Sequence, residues 1–207
     1  MPISQIICRT MIIFAVWLFT TASTQEENQV GALERAKNQV TATAVDKTGL
    51  RALAPGNPLF QNETVTTGAN ARAELRLSDD TSLVLGEKST VLLDEFVYDA
   101  NGSAVINLAT GAMRFVSSLS GHPGKLIIKT PAATIGVRGT DFWVGPIDGV
   151  YGVLLLGGKV DVSNEGGSVT LDTPRTGTLI QGPGIAPGPA VPWPDDRRIR
   201  ALAKTDF

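Results

Sequence analysis

Apolar and polar positions alternate along much of this chain with a period of two. The clearest case is Ala71-Arg72-Ala73-Glu74-Leu75-Arg76-Leu77, with small or apolar side chains at odd positions and charged ones at even positions. Successive strand side chains point to opposite faces, so this pattern predicts a half-buried β-strand. Ser78-Asp79-Asp80 turns it into a second strand over residues 81–85. Further strands are predicted over 40–45, 90–98, 104–108, 112–116, 126–129, 150–156, 159–163, 168–171 and 178–180. Asn101-Gly102 is a two-residue hairpin signal, because both residues tolerate positive φ; Asn164-Glu165-Gly166-Gly167 marks a second hairpin. Gly157-Gly158 is expected to end the strand from Val150 in a third. Residues 25–39 are polar and read as a leader, either a short helix or a flexible segment.

Pro and Gly crowd residues 181–194, which predicts an extended strap. The closing run from Asp195 to Lys204 has acidic residues first and basic residues later, a polarity that suits a short helix docked through Ile199 and Leu202. The 22 glycines and 12 prolines in 207 residues favour many turns, so the fold class is all-β.

Residues 1–24 read as a secretory signal peptide, with Arg9 ahead of the apolar run Met11 to Phe19 and small residues after it. That run is far shorter than the roughly 20 residues needed to span a bilayer. Export to the periplasm or beyond, with no stable membrane anchor after processing, is the expectation. The single cysteine, Cys8, lies in this segment, so the processed chain is expected to have no thiol chemistry.

The densest signal is Thr130-Pro131 followed by Val137-Arg138-Gly139-Thr140-Asp141-Phe142-Trp143. It predicts two short strands meeting at a tight corner at Arg138-Gly139. Beyond the corner, Thr140, Phe142 and Val144 should share one face, and Asp141 and Trp143 the other. An Arg138–Asp141 ion pair would fix the corner. Trp143 is expected either beneath another layer or exposed as a partner contact.

Thr-Pro followed by Val-Arg-Gly-Thr-x-Phe resembles the signature of FecR domains, extracytoplasmic modules of bacterial signalling and envelope proteins. Thr67-Gly68 with the alternating strand to Leu77, Ser82 to Gly86, Leu108 to Phe115, and Gly157 to Val162 are also similar to that family. The resemblance covers residues 40–180. It implies a twisted, solenoid-like stack of short strands and hairpins, with a β-sandwich as the alternative. Thr130, Pro131, Val137, Arg138, Gly139, Thr140, Asp141 and Phe142 then stand as family-motif residues with a structural or interaction role. Some FecR-type regulators break their own chain at a Gly-Thr pair; here Gly139-Thr140 is expected to stay intact. Relatives in iron-uptake systems carry a cytoplasmic anti-sigma segment and a further C-terminal domain, and this chain is expected to have neither.

Catalytic and ligand-binding spacings fail. Gly152 to Val160 is one residue out of register for a phosphate loop and lacks its Ser/Thr, and the lone His122 gives no multi-histidine zinc site. No catalytic residue, metal or cofactor is expected. A formal net charge of −2, with scattered basic residues, excludes an electrostatic footprint for nucleic acid. The expected function is therefore a non-enzymatic, exported module that binds another envelope protein in signalling or assembly. The alternatives are a purely structural scaffold subunit and a glycan-binding or glycan-cleaving protein using a carboxylate pair, drawn from Asp79, Asp80, Glu87, Asp94, Glu95, Asp141 and Asp148.

Overall fold

A computed structural model describes residues 28–44, 49–96, 104–117 and 126–207. Residues 1–24, for which the sequence predicts a signal peptide, as well as Asn101-Gly102 and His122, lie outside the described residues. The elements, in order, are β1 (Gln29–Lys37), β2 (Val40–Thr43), β3 (Leu50–Ala52), β4 (Pro58–Phe60), β5 (Thr64–Thr67) and β6 (Arg72–Leu77). Then come β7 (Ser82–Leu85), β8 (Thr90–Phe96), β9 (Ala104–Thr110), β10 (Met113–Val116), β11 (Leu126–Lys129), β12 (Thr134–Ile147) and β13 (Val150–Asn164). β14 (Gly167–Leu171), β15 (Thr176–Ile180), β16 (Val191–Pro192) and the helix α1 (Asp195–Ala203) complete the chain. The all-β class with a short C-terminal helix is as the sequence predicts.

The strands belong to one curled sheet. Its main path runs β3-β2-β5-β8-β9-β11-β12-β10-β7-β6-β1-β4, and β13 joins at β12, carrying β14 and β15 along its other edge. Every pairing is antiparallel except β9 with β11. The two ends of the path are tied by Arg51 of β3. Its Nη2 donates to the Pro58 carbonyl on β4 at 2.6 Å and to Glu63 Oε2 at 2.8 Å. Glu63 is buried and also accepts the Phe60 N–H at 3.0 Å, so its carboxylate is fully occupied.

The pleat sets what lies inside. Ala73, Leu75 and Leu77 of β6, with Leu83 and Leu85 of β7, enter a single apolar core together with Phe115, Phe142, Val160 and Val162. Ile128 and Val137 are buried as well. The outer face of β6 is charged: Arg76 donates to Glu34 and Arg35 to Glu74, both across to β1. Burial alone would push the Glu74 carboxyl up, but hydrogen bonds from Arg35 and Ser82 and the charges of Arg35 and Arg76 hold it below its ordinary value.

Three expectations change. The polar leader contains a nine-residue strand, β1, whose Val30 and Leu33 are buried. Gly157-Gly158 does not end a strand, because β13 runs through it for 15 residues. Helix α1 leaves Ile199 exposed and docks through buried Ala201 and partly buried Leu202.

That helix, with Trp193 of the strap, covers a second, smaller apolar cluster containing Ala112, Trp143, Ile147 and Leu154. Asp148 anchors it by accepting from Arg197 and Arg200, each at 2.8 Å. Beyond the helix, Arg72 Nε donates to the Asp206 carbonyl at 3.0 Å, and the Arg35 guanidinium lies 4.1 Å from the Phe207 ring centroid. The C-terminal segment is thus strapped to β6 and β1. Among the described residues no helix is long and apolar enough to cross a membrane.

Candidate functional site

The Thr130-Pro131 turn opens the site. Thr130 Oγ1 accepts the Ala133 N–H at 3.0 Å and donates to the Ala133 carbonyl at 2.8 Å, closing the connection between β11 and β12 on itself. Pro131 is exposed at its tip.

β12 is one strand with a bulge rather than two strands with a corner. Val137 opposes Val160 and Arg138 opposes Lys159, but Gly139 and Thr140 together oppose only Gly158. The extra residue is returned on the other strand at Leu156, so Phe142 again faces Leu155 in the original register. Both central glycines have left-handed backbones, with φ of 58° at Gly139 and 81° at Gly158. A G1-type bulge requires that conformation, which a side chain disfavours. The bulge switches which positions face inward, from Ile135 and Val137 to Thr140, Phe142 and Val144.

The motif therefore has two sides. Val137, Thr140 and Phe142 are buried, and the Phe142 ring stacks on Phe115 with centroids 5.3 Å apart. Thr140 Oγ1 and Ser117 Oγ are buried without a hydrogen-bond partner, although the Ser117 N–H donates to the Thr140 carbonyl at 3.0 Å. On the outer side, Asp141 accepts from Arg114 of β10 through two parallel bonds, at 3.0 Å from Nε and 2.8 Å from Nη2. The Asp141 hydrogen bond, acting against burial, raises the Arg114 guanidinium above its already high ordinary value.

Arg138 is not the partner of Asp141. It is exposed directly across from exposed Lys159, and among the described residues neither makes an ion pair or a side-chain hydrogen bond. Trp143, the other position considered for partner contact, is fully buried; its ring meets Trp193 edge-on at 6.4 Å. The strap is the covering layer. Lys159, Arg114 and Trp193 were not legible as site residues, because only the strand register brings the first two to the motif and only the strap brings the third.

The acidic residues are dispersed. Asp79 caps Thr81, Glu87 accepts the Asn70 N–H, Asp94 accepts from Asn107, and Asp141 and Asp148 are held by arginines. Among the described residues no group of three or more His, Cys, Asp or Glu could hold a metal ion.

Two crystal structures described as a putative anti-sigma factor from Parabacteroides distasonis ATCC 8503, at 2.50 and 1.65 Å resolution, are similar in fold, each with a TM-score of 0.56 and 17% identity. The similarity covers 67% of this chain and 63% and 64% of those chains, so this chain spans less than two thirds of their length. No curated protein matches it significantly. The family model for FecR protein matches residues 63–161, from the turn before β5 into β13, and so includes both strands of the bulge. The motif that lies across that bulge falls inside the segment that matches the FecR protein family.

Proposed function

We propose that this chain is a non-enzymatic module of the cell envelope that regulates signalling or assembly by binding an acidic surface of another protein through Arg138 and Lys159. One observation carries this reading: the motif's exposed cation stands directly opposite a second exposed cation, and among the described residues neither is in an ion pair. Like charges facing each other across an antiparallel pair destabilise it, and a partner carboxylate removes that penalty. The rest of the motif is committed to the core and to the Arg114–Asp141 pair, which leaves Arg138 as its outward-facing charge. The match to the FecR protein family and the fold shared with the Parabacteroides protein support a signalling context. The signal-peptide pattern of residues 1–24 supports export to the periplasm or beyond. A glycan-cleaving role is disfavoured, since the acidic residues described above are each engaged by a separate donor or stand apart.

Photo-crosslinking from a benzophenone side chain at exposed position 161, two residues from Lys159 on the same strand face, in cells and under native expression, tests the proposal with both cations in place. A defined adduct is expected that disappears in the Lys159→Glu protein without a fall in melting temperature. An adduct indifferent to Lys159→Glu, or no adduct at all, rejects this surface.

A further inference from the structure

A cavity of about 740 Å³ opens where helix α1 ends against the sheet, at the opposite end of β12 from the β11 connection. Its floor is apolar, built from buried Ala112 and Ile147 with Pro146 and Ala203. Its rim is charged and unbalanced. Arg72, Lys88, Arg200 and Lys204 supply four positive charges, Glu87 and Asp148 two negative ones, a local excess of two positive charges (4 − 2) on a chain whose formal net charge is −2.

Arg200 is paired with both Asp148 and Asp196, and Asp148 is shared with Arg197, so the excess rests on Arg72, Lys88 and Lys204 against the single charge of Glu87, which accepts the Asn70 N–H. Arg72 is bound to backbone carbonyls only, those of Ala71, Ala203 and Asp206. Lys88 and Lys204 make no ion pair among the described residues. The volume lies within the range of small-molecule sites, and such sites combine an apolar floor with a few polar groups that orient the ligand.

We propose that this cavity binds a small amphipathic carboxylate, its apolar body on Ala112 and Ile147 and its anionic head among Lys88, Lys204 and Arg72. The site lies apart from Arg138 and Lys159 and does not depend on the partner reading. Because Arg200, Ala203 and Lys204 come from α1 and its C-terminal end while the other walls come from the sheet, a bound ligand bridges the two and stabilises the docked helix.

The test uses the processed full chain and the fluorescent anion 8-anilinonaphthalene-1-sulfonate, with uncharged N-phenyl-1-naphthylamine as the control for apolar binding alone. Saturable binding of one equivalent of the anion, displaced by octanoate, is expected, and the neutral probe should bind at least about tenfold more weakly. Lys88→Glu with Lys204→Glu should weaken anion binding by a similar factor without changing the melting temperature, since both lysines are exposed. Equal affinity for the two probes, unchanged affinity of the double variant, or no saturable binding of the anion overturns the proposal.

Discussion

Gly139 and Gly158 face each other across the bulge of the β12–β13 pair, and a Cβ on Gly158 would overlap the carbonyl oxygen of Gly139. It would also lie 2.8 Å from Thr140 Cγ2. Gly158→Ala therefore meets both a left-handed backbone and a backbone clash, and should destabilise the protein by about 3 kcal/mol or more. Gly157→Ala, one residue earlier, has open space around its Cβ and should change stability by less than about 1 kcal/mol. Denaturant melts of the two proteins decide it; equal midpoints would mean that the bulge accommodates a side chain.

Phe142 lies at the centre of the core, stacked on Phe115. Truncation to alanine should cost about 3–5 kcal/mol, through lost burial and the cavity left behind. Wild-type heat stability in the Phe142→Ala protein would contradict the packing described.

A double-mutant cycle separates the two arginines near Asp141. Arg114 and Asp141 form a part-exposed bidentate pair, so their coupling should be about 0.5–1 kcal/mol, and that of Arg138 with Asp141 near zero. Lys159→Ala alone should be neutral or slightly stabilising, because it removes a facing like charge. A measurable Arg138–Asp141 coupling would restore the ion pair that the sequence suggests.

Thr140 buries a hydroxyl that finds no partner. Replacing it with valine keeps the shape and removes the unpaired oxygen, so Thr140→Val should be neutral or stabilising by about 1 kcal/mol. A denaturing gel of the freshly purified wild-type protein should show one band; two fragments that rejoin into one band in Thr140→Ala would identify Gly139-Thr140 as a self-cleaving bond.

The Glu74 carboxyl, held below its ordinary value of 4.5, links stability to pH. A depressed folded-state pKa means that the unfolded chain binds the proton more readily. Its contribution is thus fully present above pH 4.5 and fades as the pH falls through the lower folded-state value. Glu74→Gln should be destabilising by about 1 kcal/mol at pH 7 and nearly neutral below the folded-state pKa. A difference independent of pH would exclude this linkage.

The core was legible wherever alternation was regular, as in β6 and β7, because a period of two assigns every side chain to a face. It failed where bulges break that period. β1 shifts register between Gln29 and Gly31 and again between Leu33 and Arg35, so its apolar positions look scattered and its charges resemble a solvated leader. Gly157-Gly158 invited a hairpin for the same reason, since a left-handed glycine serves a turn and a bulge equally well. The partner of Asp141 was misread by treating nearness in sequence as nearness in space. Arg138 is three residues along the strand, roughly 10 Å away at 3.3 Å per residue, whereas Arg114 sits on the adjoining strand, about 4.8 Å across. Trp143 could not be assigned because the layer that covers it, Trp193, lies 50 residues later in an irregular strap.

The C-terminal segment, whose Asp206 and Phe207 are held by Arg72 and Arg35, also orders events in time. β1 and β6 are synthesised well before residues 203–207, so Arg35 and Arg72 must wait for that segment, and the layer over Trp143 cannot be fastened from its far end until it has been made. Completion of this domain is therefore a late event, and an incomplete chain would present Trp143 and its apolar neighbours uncovered to whatever handles it on the way.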